Sequence, residues 1–257
     1  TSHSAPSARY CAGHSEAKPS GWTYEHIRRA WQSGDRAQSA VLRFIQAMVC
    51  GRLPHLPTST LLPLAKPNGG IRPIAVGEVW YRLAGLCAMA ASPDPGALLA
   101  PLQLGVRVSG GAQCLGHAIK AGIASDPGCV TVTFDWRNAF NTVSRQAVLD
   151  AVAERLPTLL PFARWAYGQP APLIIPGAPP DAPPIVSARG VRQGDPCGPL
   201  FFALALQGPL EATVRAHPQS PVLAFADDCT MQGSPEAVAA AAPDFVGRVA
   251  ALGLHPV

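Results

Sequence analysis

The chain has 257 residues, of which 48% are hydrophobic and only 14% charged, with a formal net charge of +4. This is enough apolar material for one large domain or two closely packed subdomains, and no apolar run approaches the ~20 residues that a membrane helix needs. A mildly basic balance permits a nucleic-acid partner without requiring one.

Lys18, Lys66 and Lys120 are the lysines, and every other basic residue is arginine. Arginine suits phosphate recognition, but GC-rich coding gives the same bias along with abundant Ala, Gly and Pro. The seven cysteines are scattered and form no Cys-x-x-Cys, so reduced thiols and an intracellular setting are expected. Cys11 and His14 are close enough for zinc but lack a matching second pair, and no secretory signal is visible.

Residues 1–20 are polar and rich in Ser, Pro and Ala, and are expected to be poorly ordered. Helices are expected at 23–31, with Ile27, Ala30 and Trp31 at helical spacing, and at 38–49, with Val41, Leu42, Phe44, Ile45 and Met48. A Pro-punctuated linker at 53–57 follows. Residues 60–66 and 71–76 read as strands around Pro67-Asn68-Gly69-Gly70, a hairpin signal. Lys66 and Arg72 flank that loop. Two cations there are either separately solvated or bridged by an anion such as a triphosphate, and both readings stay open. A buried, Ala-rich helix at 78–91 contains Arg82, which needs a partner. A short helix at 97–102, a Gly-rich stretch at 104–111 and a helix at 112–124 follow.

Val130, Val132 and Phe134 alternate with Thr131 and Thr133, a strand pattern that Asp135 ends. Asn138-Ala139-Phe140-Asn141 reads as a turn, and Ser144 as the N-cap of a helix with Val148, Leu149 and Val152 on its apolar face. Residues 157–184 are irregular and Pro-rich, with a short helix at 162–167 and a strand at 173–175, and are expected to form an excursion from the core. A strand at 185–191, a tight turn from Arg192 to Pro196 and a helix at 201–214 come next. Val222 to Met231 reads as a hairpin with Asp227 and Asp228 at its turn, and an Ala-rich helix at 235–252 completes the pattern. Adjacent carboxylates repel, and a hard cation such as Mg²⁺ reverses that cost by coordinating them. Asp pairs also occupy ordinary surface turns. One carboxylate ending a strand and two more on a hairpin turn is the ligand set of a two-metal phosphoryl-transfer site, with ions ~3.5–4 Å apart.

Four blocks in this order resemble the reverse transcriptase domain of non-LTR (LINE-like) retrotransposons. Leu-Pro-Leu-Ala-Lys66-Pro-Asn-Gly-Gly-Ile-Arg72-Pro-Ile is similar to the fingers blocks and Phe134-Asp135-Trp-Arg-Asn-Ala-Phe140-Asn-Thr-Val to motif A. Arg189-Gly-Val-Arg-Gln193-Gly194-Asp195-Pro196 is similar to motif B, and Phe225-Ala226-Asp227-Asp228 to motif C. The likeness runs from about residue 61 to 257. Cys197-Gly198-Pro199 departs from the family's usual Leu-Ser-Pro, and Leu252-Gly253-Leu254-His255 resembles the start of motif D.

The resemblance implies an α+β right-hand polymerase: fingers and palm, an antiparallel palm sheet backed by helices, and no thumb. After an N-terminal segment at 1–57, disordered and then helical, the reverse transcriptase domain would span 58–257. Its fingers would lie at about 58–128 and 157–184, and its palm at about 129–156 and 185–257. The implied activity is RNA-directed DNA synthesis with an RNA template, a DNA primer and dNTPs as partners. Two Mg²⁺ ions, with Mn²⁺ as a substitute, would be held by catalytic Asp135, Asp227 and Asp228. Asp228 is the least direct ligand, since strand neighbours point apart. Lys66 and Arg72 would clamp the triphosphate. Phe140 would lie under the sugar as a steric gate, unless it is simply a core aromatic. Gln193 and Gly194 would let backbone and amide approach the nucleotide and template, unless they form an ordinary tight turn.

Competing expectations are an RNA-directed RNA polymerase or an intron-maturase-like enzyme, from which Ala226 and Gly194-Asp195 respectively depart. A third is an inactive, partial retroelement relic that at most binds nucleic acid. The resemblance also implies no membrane association, a nuclear setting during insertion, and a parent protein supplying the motif D lysine, primer grip, thumb and further domains. This fragment alone is then expected to be weakly active or inactive.

Overall fold

The computed structural model describes residues 20–54, 58–67, 69–179 and 181–257. Expectations placed on residues 1–19, including Cys11 and His14, on linker residues 55–57, on Asn68 of the hairpin signal and on Pro180 lie outside the described residues.

Two helices lead, α1 (Tyr24–Gln32) and α2 (Asp35–Val49), followed by a hairpin of β1 (Ser59–Ala65) and β2 (Ile71–Gly77). Next come α3 (Val79–Ala90), α4 (Pro95–Leu99) and α5 (Gly111–Ser125). Strand β3 (Val130–Phe134) leads through a short α6 (Ala139–Thr142) to α7 (Arg145–Arg155) and α8 (Leu160–Tyr167). The chain closes with β4 (Ala171–Ile174), β5 (Ile185–Ser187), α9 (Gly198–Ala216), β6 (Val222–Phe225), β7 (Asp228–Gly233) and α10 (Pro235–Ala250).

Local chemistry sets the helix starts. Ser144 accepts from the Ala147 N–H at 3.3 Å and Ser234 from the Ala237 N–H at 3.2 Å, while Thr23 and His26 form a reciprocal box at the start of α1. Each cap satisfies a backbone donor that the first helical turn would leave unpaired.

The strands form two sheets. One has the order β2-β1-β4-β5, with β1 and β4 parallel, and the other is antiparallel with the order β3-β7-β6. The second sheet is two-sided in character. Val222, Ala224, Cys229, Met231 and Phe134 are buried on one side, against the helices. Helix α9 is apolar almost all round from Gly198 to Leu206, and such a helix belongs in the interior. Phe201, Phe202, Leu204, Leu206 and Leu210 are indeed buried, and α9 packs against α7, α10 and β6.

Several expectations change. The stretch at 157–184 is an excursion only in its second part: Leu159, Phe162, Ala163, Ala166 and Tyr167 are at most 1% exposed and β4 joins the first sheet, whereas residues 175–179 and 181–184 are exposed. Phe162, Ala163, Ala166 and Tyr167 form one helical face, which the surrounding prolines obscured. The strand expected at 185–191 ends at Ser187, and the turn at 138–141 is mostly the short α6. The expected helix at 97–102 sits earlier, as α4, because Asp94 caps it and Pro95 suits its first position. Arg82 finds its partner in the Tyr24 ring, 5.8 Å from the guanidinium carbon. Among the described residues no helix is long and apolar enough to cross a membrane.

Phe162 stacks on Tyr81 with ring centroids 5.5 Å apart. Phe162→Ala should therefore cost about 3–5 kcal/mol in urea unfolding, as a core aromatic does. A residue on a surface excursion would cost about 0.5 kcal/mol or less.

Candidate active site

The second sheet carries its carboxylates on the side away from the core. Phe134 and Trp136 stack with centroids 5.9 Å apart and both pack edge-on against Phe245 of α10. Asp135 lies between them in sequence, so strand alternation turns it outward, and it is exposed. Phe134 faces Cys229 in the β3–β7 ladder. Continuing that register by one residue sets Asp135 across from Asp228, which pairs with Phe225 on its other side and is also exposed.

The Asp pair is divided, contrary to expectation. The turn between β6 and β7 consists of Ala226 and Asp227, and Asp228 already belongs to β7. Pairing of Phe225 with Asp228 closes the tightest hairpin and pulls the second aspartate onto the strand. Ala226 adopts the left-handed region, φ 58°. Asp227 is half-buried. Burial raises its carboxyl above the ordinary carboxylate range, and the charges of Asp228 and Asp135 raise it further; its own backbone N–H and the Arg72 charge act in the lowering direction. These electrostatic influences bring Asp135, Asp227, Asp228 and Arg72 into one neighbourhood.

Among the described residues no group of three Asp, Glu, His or Cys side chains is close enough to enclose a metal ion. The arrangement is open. Mg²⁺ ordinarily takes one or two protein carboxylates and fills its remaining positions with water and substrate phosphate. The mutual repulsion at Asp227 is the cost that such an ion reverses. The residues therefore fit an ion shared with a phosphate, and do not form a closed cage.

Arg72 reaches the site from the first sheet. It faces Leu64 across the β1–β2 ladder, and Lys66 lies two residues beyond Leu64, so alternation gives both cations the same face. The loop between them is closed by the Lys66 N–H donating to the Gly70 carbonyl at 2.7 Å and the Gly69 N–H to the Lys66 carbonyl at 3.0 Å.

Phe140, on α6, is half-buried and stacks on Phe202 of α9 with centroids 4.6 Å apart. Its ring is thus both a core contact and partly open. Its carbonyl accepts from the Val191 N–H at 2.7 Å. Gly190 runs so close to Phe140 and Asn141, at φ 64°, that a Cβ there would overlap their backbone. The Gln193 carbonyl accepts from the Ala75 N–H of β2 at 2.6 Å. Gly194, at φ 105°, would bring a Cβ to 2.9 Å from the Ala75 carbonyl oxygen. The turn at 192–196 is therefore fastened to the strand that carries Arg72.

Sequence reasoning missed two buried polar groups beside this site. Arg192 lies between the rings of Tyr81 and Tyr167, 4.9 and 4.8 Å from their centroids. Both tyrosine hydroxyls donate to Asp195 Oδ2, while Asp195 Oδ1 accepts from the Cys197 N–H at 2.8 Å. Burial first, then the Asp195 charge, holds both phenols well above their ordinary range. The second group is Gln103, fully buried and bonded to both backbone polar atoms of Ala226. Its only sequence signal was its place before the Gly-rich stretch.

No family model matches the chain. The chain is 30% identical over 207 residues to the retrotransposable element SLACS 132 kDa protein of Trypanosoma brucei gambiense, a match covering 74% of this chain and 16% of that protein. Among solved structures, apo telomerase from Candida tropicalis, truncated from its C-terminal domain, aligns with a TM-score of 0.57 at 11% identity, covering 79% of this chain and 49% of that one. The chain thus spans a small part of one relative and about half of the other. It shares its fold with the telomerase chain, and its sequence is similar to part of a retrotransposable-element protein.

Proposed function

We propose that this chain is the RNA-directed DNA polymerase domain of a retroelement protein, adding deoxynucleotides to a primer 3′-hydroxyl on an RNA template. One observation carries the reading: the β3–β7 register, which ends at Phe134 and Cys229, sets the next residues, Asp135 and Asp228, across from each other, and both their charges and that of Arg72 act on Asp227. The similarity to a retrotransposable-element protein and the fold shared with a telomerase support it. On this reading the β2-β1-β4-β5 sheet is the fingers, and the β3-β7-β6 sheet with α9 and α10 is the palm. The protein would work in the nucleus during insertion.

Asp135, Asp227 and Asp228 would hold two Mg²⁺ ions, which Mn²⁺ could replace. When bound, such ions lower the pKa of a hydroxyl nucleophile and neutralise the departing pyrophosphate. Arg72 and Lys66 place positive charge where the triphosphate of a dNTP would lie, and charge-assisted bonds from both would orient it. Phe140 is held by its stack on Phe202, so its ring cannot easily withdraw from a sugar above it. A 2′-hydroxyl would meet that ring. The turn carrying Gln193 and Gly194 stays beside Arg72 through its bond to Ala75, so that its backbone can approach the nucleotide and template.

Asp227→Asn removes a ligand charge and little volume. Single-nucleotide addition on an RNA template should fall by at least about 10²-fold, the scale of losing one preorganised electrostatic group, with the fold intact by circular dichroism. Near wild-type addition would remove Asp227 from the site.

Arg72→Ala should raise the KM for dNTP on the order of 10-fold, the effect of losing a charge-assisted bond of about 1.5 kcal/mol, and leave template–primer affinity unchanged. An equal loss of both would assign Arg72 to the nucleic-acid backbone or to hairpin support.

Phe140→Val should raise ribonucleotide incorporation relative to deoxynucleotide incorporation, because the discriminating feature is a single 2′-hydroxyl. An unchanged ratio would leave Phe140 as a core aromatic only.

A further inference from the structure

The carboxylate turn is held by a side chain far from it in sequence. Gln103 is 0% exposed. Its Oε1 accepts from the Ala226 N–H at 2.8 Å and from the Gly105 N–H at 2.9 Å, and its Nε2 donates to the Ala226 carbonyl at 2.9 Å. One carboxamide therefore satisfies both backbone groups of the residue before Asp227. Its orientation is set by its partners, since Ala226 presents one donor and one acceptor.

That residue needs holding. Ala226 lies at φ 58°, a region that a side chain with a Cβ enters at a cost and that glycine enters freely. The strand ladder offers no help at this point, because Ala226 and Asp227 are the two turn residues outside it. The segment around Gln103 acts as a short neighbouring strand instead. Gln103 bridges Ala224 in parallel fashion, the Ala224 N–H donates to the Leu102 carbonyl at 2.7 Å, and the Leu104 N–H donates to the Ala224 carbonyl at 2.7 Å. The fit is tight on both sides. A Cβ on Gly105 would overlap the Ala226 backbone, and one on Gly111, the first residue of α5, would overlap the Leu104 carbonyl.

We propose that Gln103 is a positioning residue: by clamping Ala226 in its left-handed conformation it fixes the Asp227 carboxylate relative to Asp135 and Asp228. Gln103 bonds only backbone groups, so it acts through the turn. Without the clamp, Ala226 relaxes toward negative φ, the Ala226–Asp227 peptide rotates, and the carboxylate leaves its place. The inference that this matters for turnover rests on the polymerase reading; the inference that Gln103 holds the turn does not.

The test uses Gln103→Leu, which keeps the buried volume and removes the three hydrogen bonds, alone and combined with Ala226→Gly. Hydrogen exchange is measured by mass spectrometry on the chain without substrate, and single-nucleotide addition is measured with a primer on an RNA template. Exchange at residues 225–228 should quicken by about 10-fold or more, the sign of local opening, with α9 unchanged. The kcat should fall about 10²-fold, the cost of ~1 Å misplacement, with KM for dNTP and affinity for the duplex held within about 3-fold. Ala226→Gly in the same chain should recover part of the kcat, because glycine keeps the left-handed turn without the clamp. Unchanged exchange at 225–228 in Gln103→Leu would overturn the proposal. So would quickened exchange throughout the second sheet and α9, which marks a general structural role. A wild-type sequence that adds no nucleotide even within its full-length parent protein would instead overturn the polymerase reading, and the exchange result would still decide whether Gln103 holds the turn.

Discussion

The register of the β3-β7-β6 sheet is the constraint on which the site depends. Side chains alternate with a period of two along a strand, so a slip of one residue would turn Asp135 and Asp228 into the core and carry Phe134 and Cys229 outward. Phe134, Trp136 and Phe245 form one aromatic cluster, and Cys229, Met231 and Ala224 are buried on the same side. Burial of that side fixes the register, and the register in turn places like charges side by side on the other. The chain near its C-terminus adds a second restraint. The Val257 N–H donates to the Asp135 carbonyl at 3.1 Å, the Arg137 N–H donates to the His255 carbonyl at 2.9 Å, and Trp136 bridges Pro256. The Asp135 backbone is thus gripped on both sides, leaving its side chain facing solvent.

A second constraint sets where Arg72 stands. The segment at 189–197 ties several elements together. Val191 bonds Phe140 on α6, Gln193 bonds Ala75 on β2, and Arg192 and Asp195 lock into Tyr81 of α3 and Tyr167 of α8. Arg192 and Asp195 lie 3.8 Å apart and are almost fully buried. A buried ion pair is weak evidence of net stabilisation, but losing one partner would strand the other charge. Its consequence here is geometric. The rings, guanidinium and carboxylate hold α3, α8 and the turn at 192–196 together, and the Gln193 bond to Ala75 fastens that turn to β2.

Much of this was legible in the sequence where the cause was local. The alternation from Val130 to Phe134 gave β3, Ser144 gave the start of α7, and the apolar run into Asp227 gave the hairpin. Non-local causes left weaker traces. The β4 strand exists because it lies parallel to β1 more than a hundred residues earlier in the chain, and a Pro-rich neighbourhood offered no sign of that partner. The division of the Asp pair turned on which residues closed the hairpin, and Asp-Asp fits either arrangement. Gln103 was silent because its role is to satisfy the backbone of one residue, and no periodicity records that. Phe140 carried two readings, and its half-buried stack on Phe202 is compatible with both.

Crowding of like charge marks this face: the charges of Asp228 and Asp135 both raise the Asp227 carboxyl. Three acids elsewhere sit against arginines: Glu211 against Arg155 at 2.7 Å, Asp244 against Arg248 at 2.9 Å, and Glu25 against Arg28 at 2.6 Å. In the first two pairs the arginine hydrogen bond is the largest influence lowering the carboxyl. Among the described residues, no such ion pair includes Asp135, Asp227 or Asp228, although arginine is the dominant basic residue of the chain. Arg72 acts on Asp227 only through its field, and the balance of influences still raises that carboxyl. On the polymerase reading proposed above, an open face would suit a cation arriving with a phosphate-bearing substrate, because a resident arginine would compete for the same oxygens. The rigid register beneath the carboxylates makes that tolerable. The core on the other side of the sheet holds the strands together, so the charges need not be satisfied for the fold to stand.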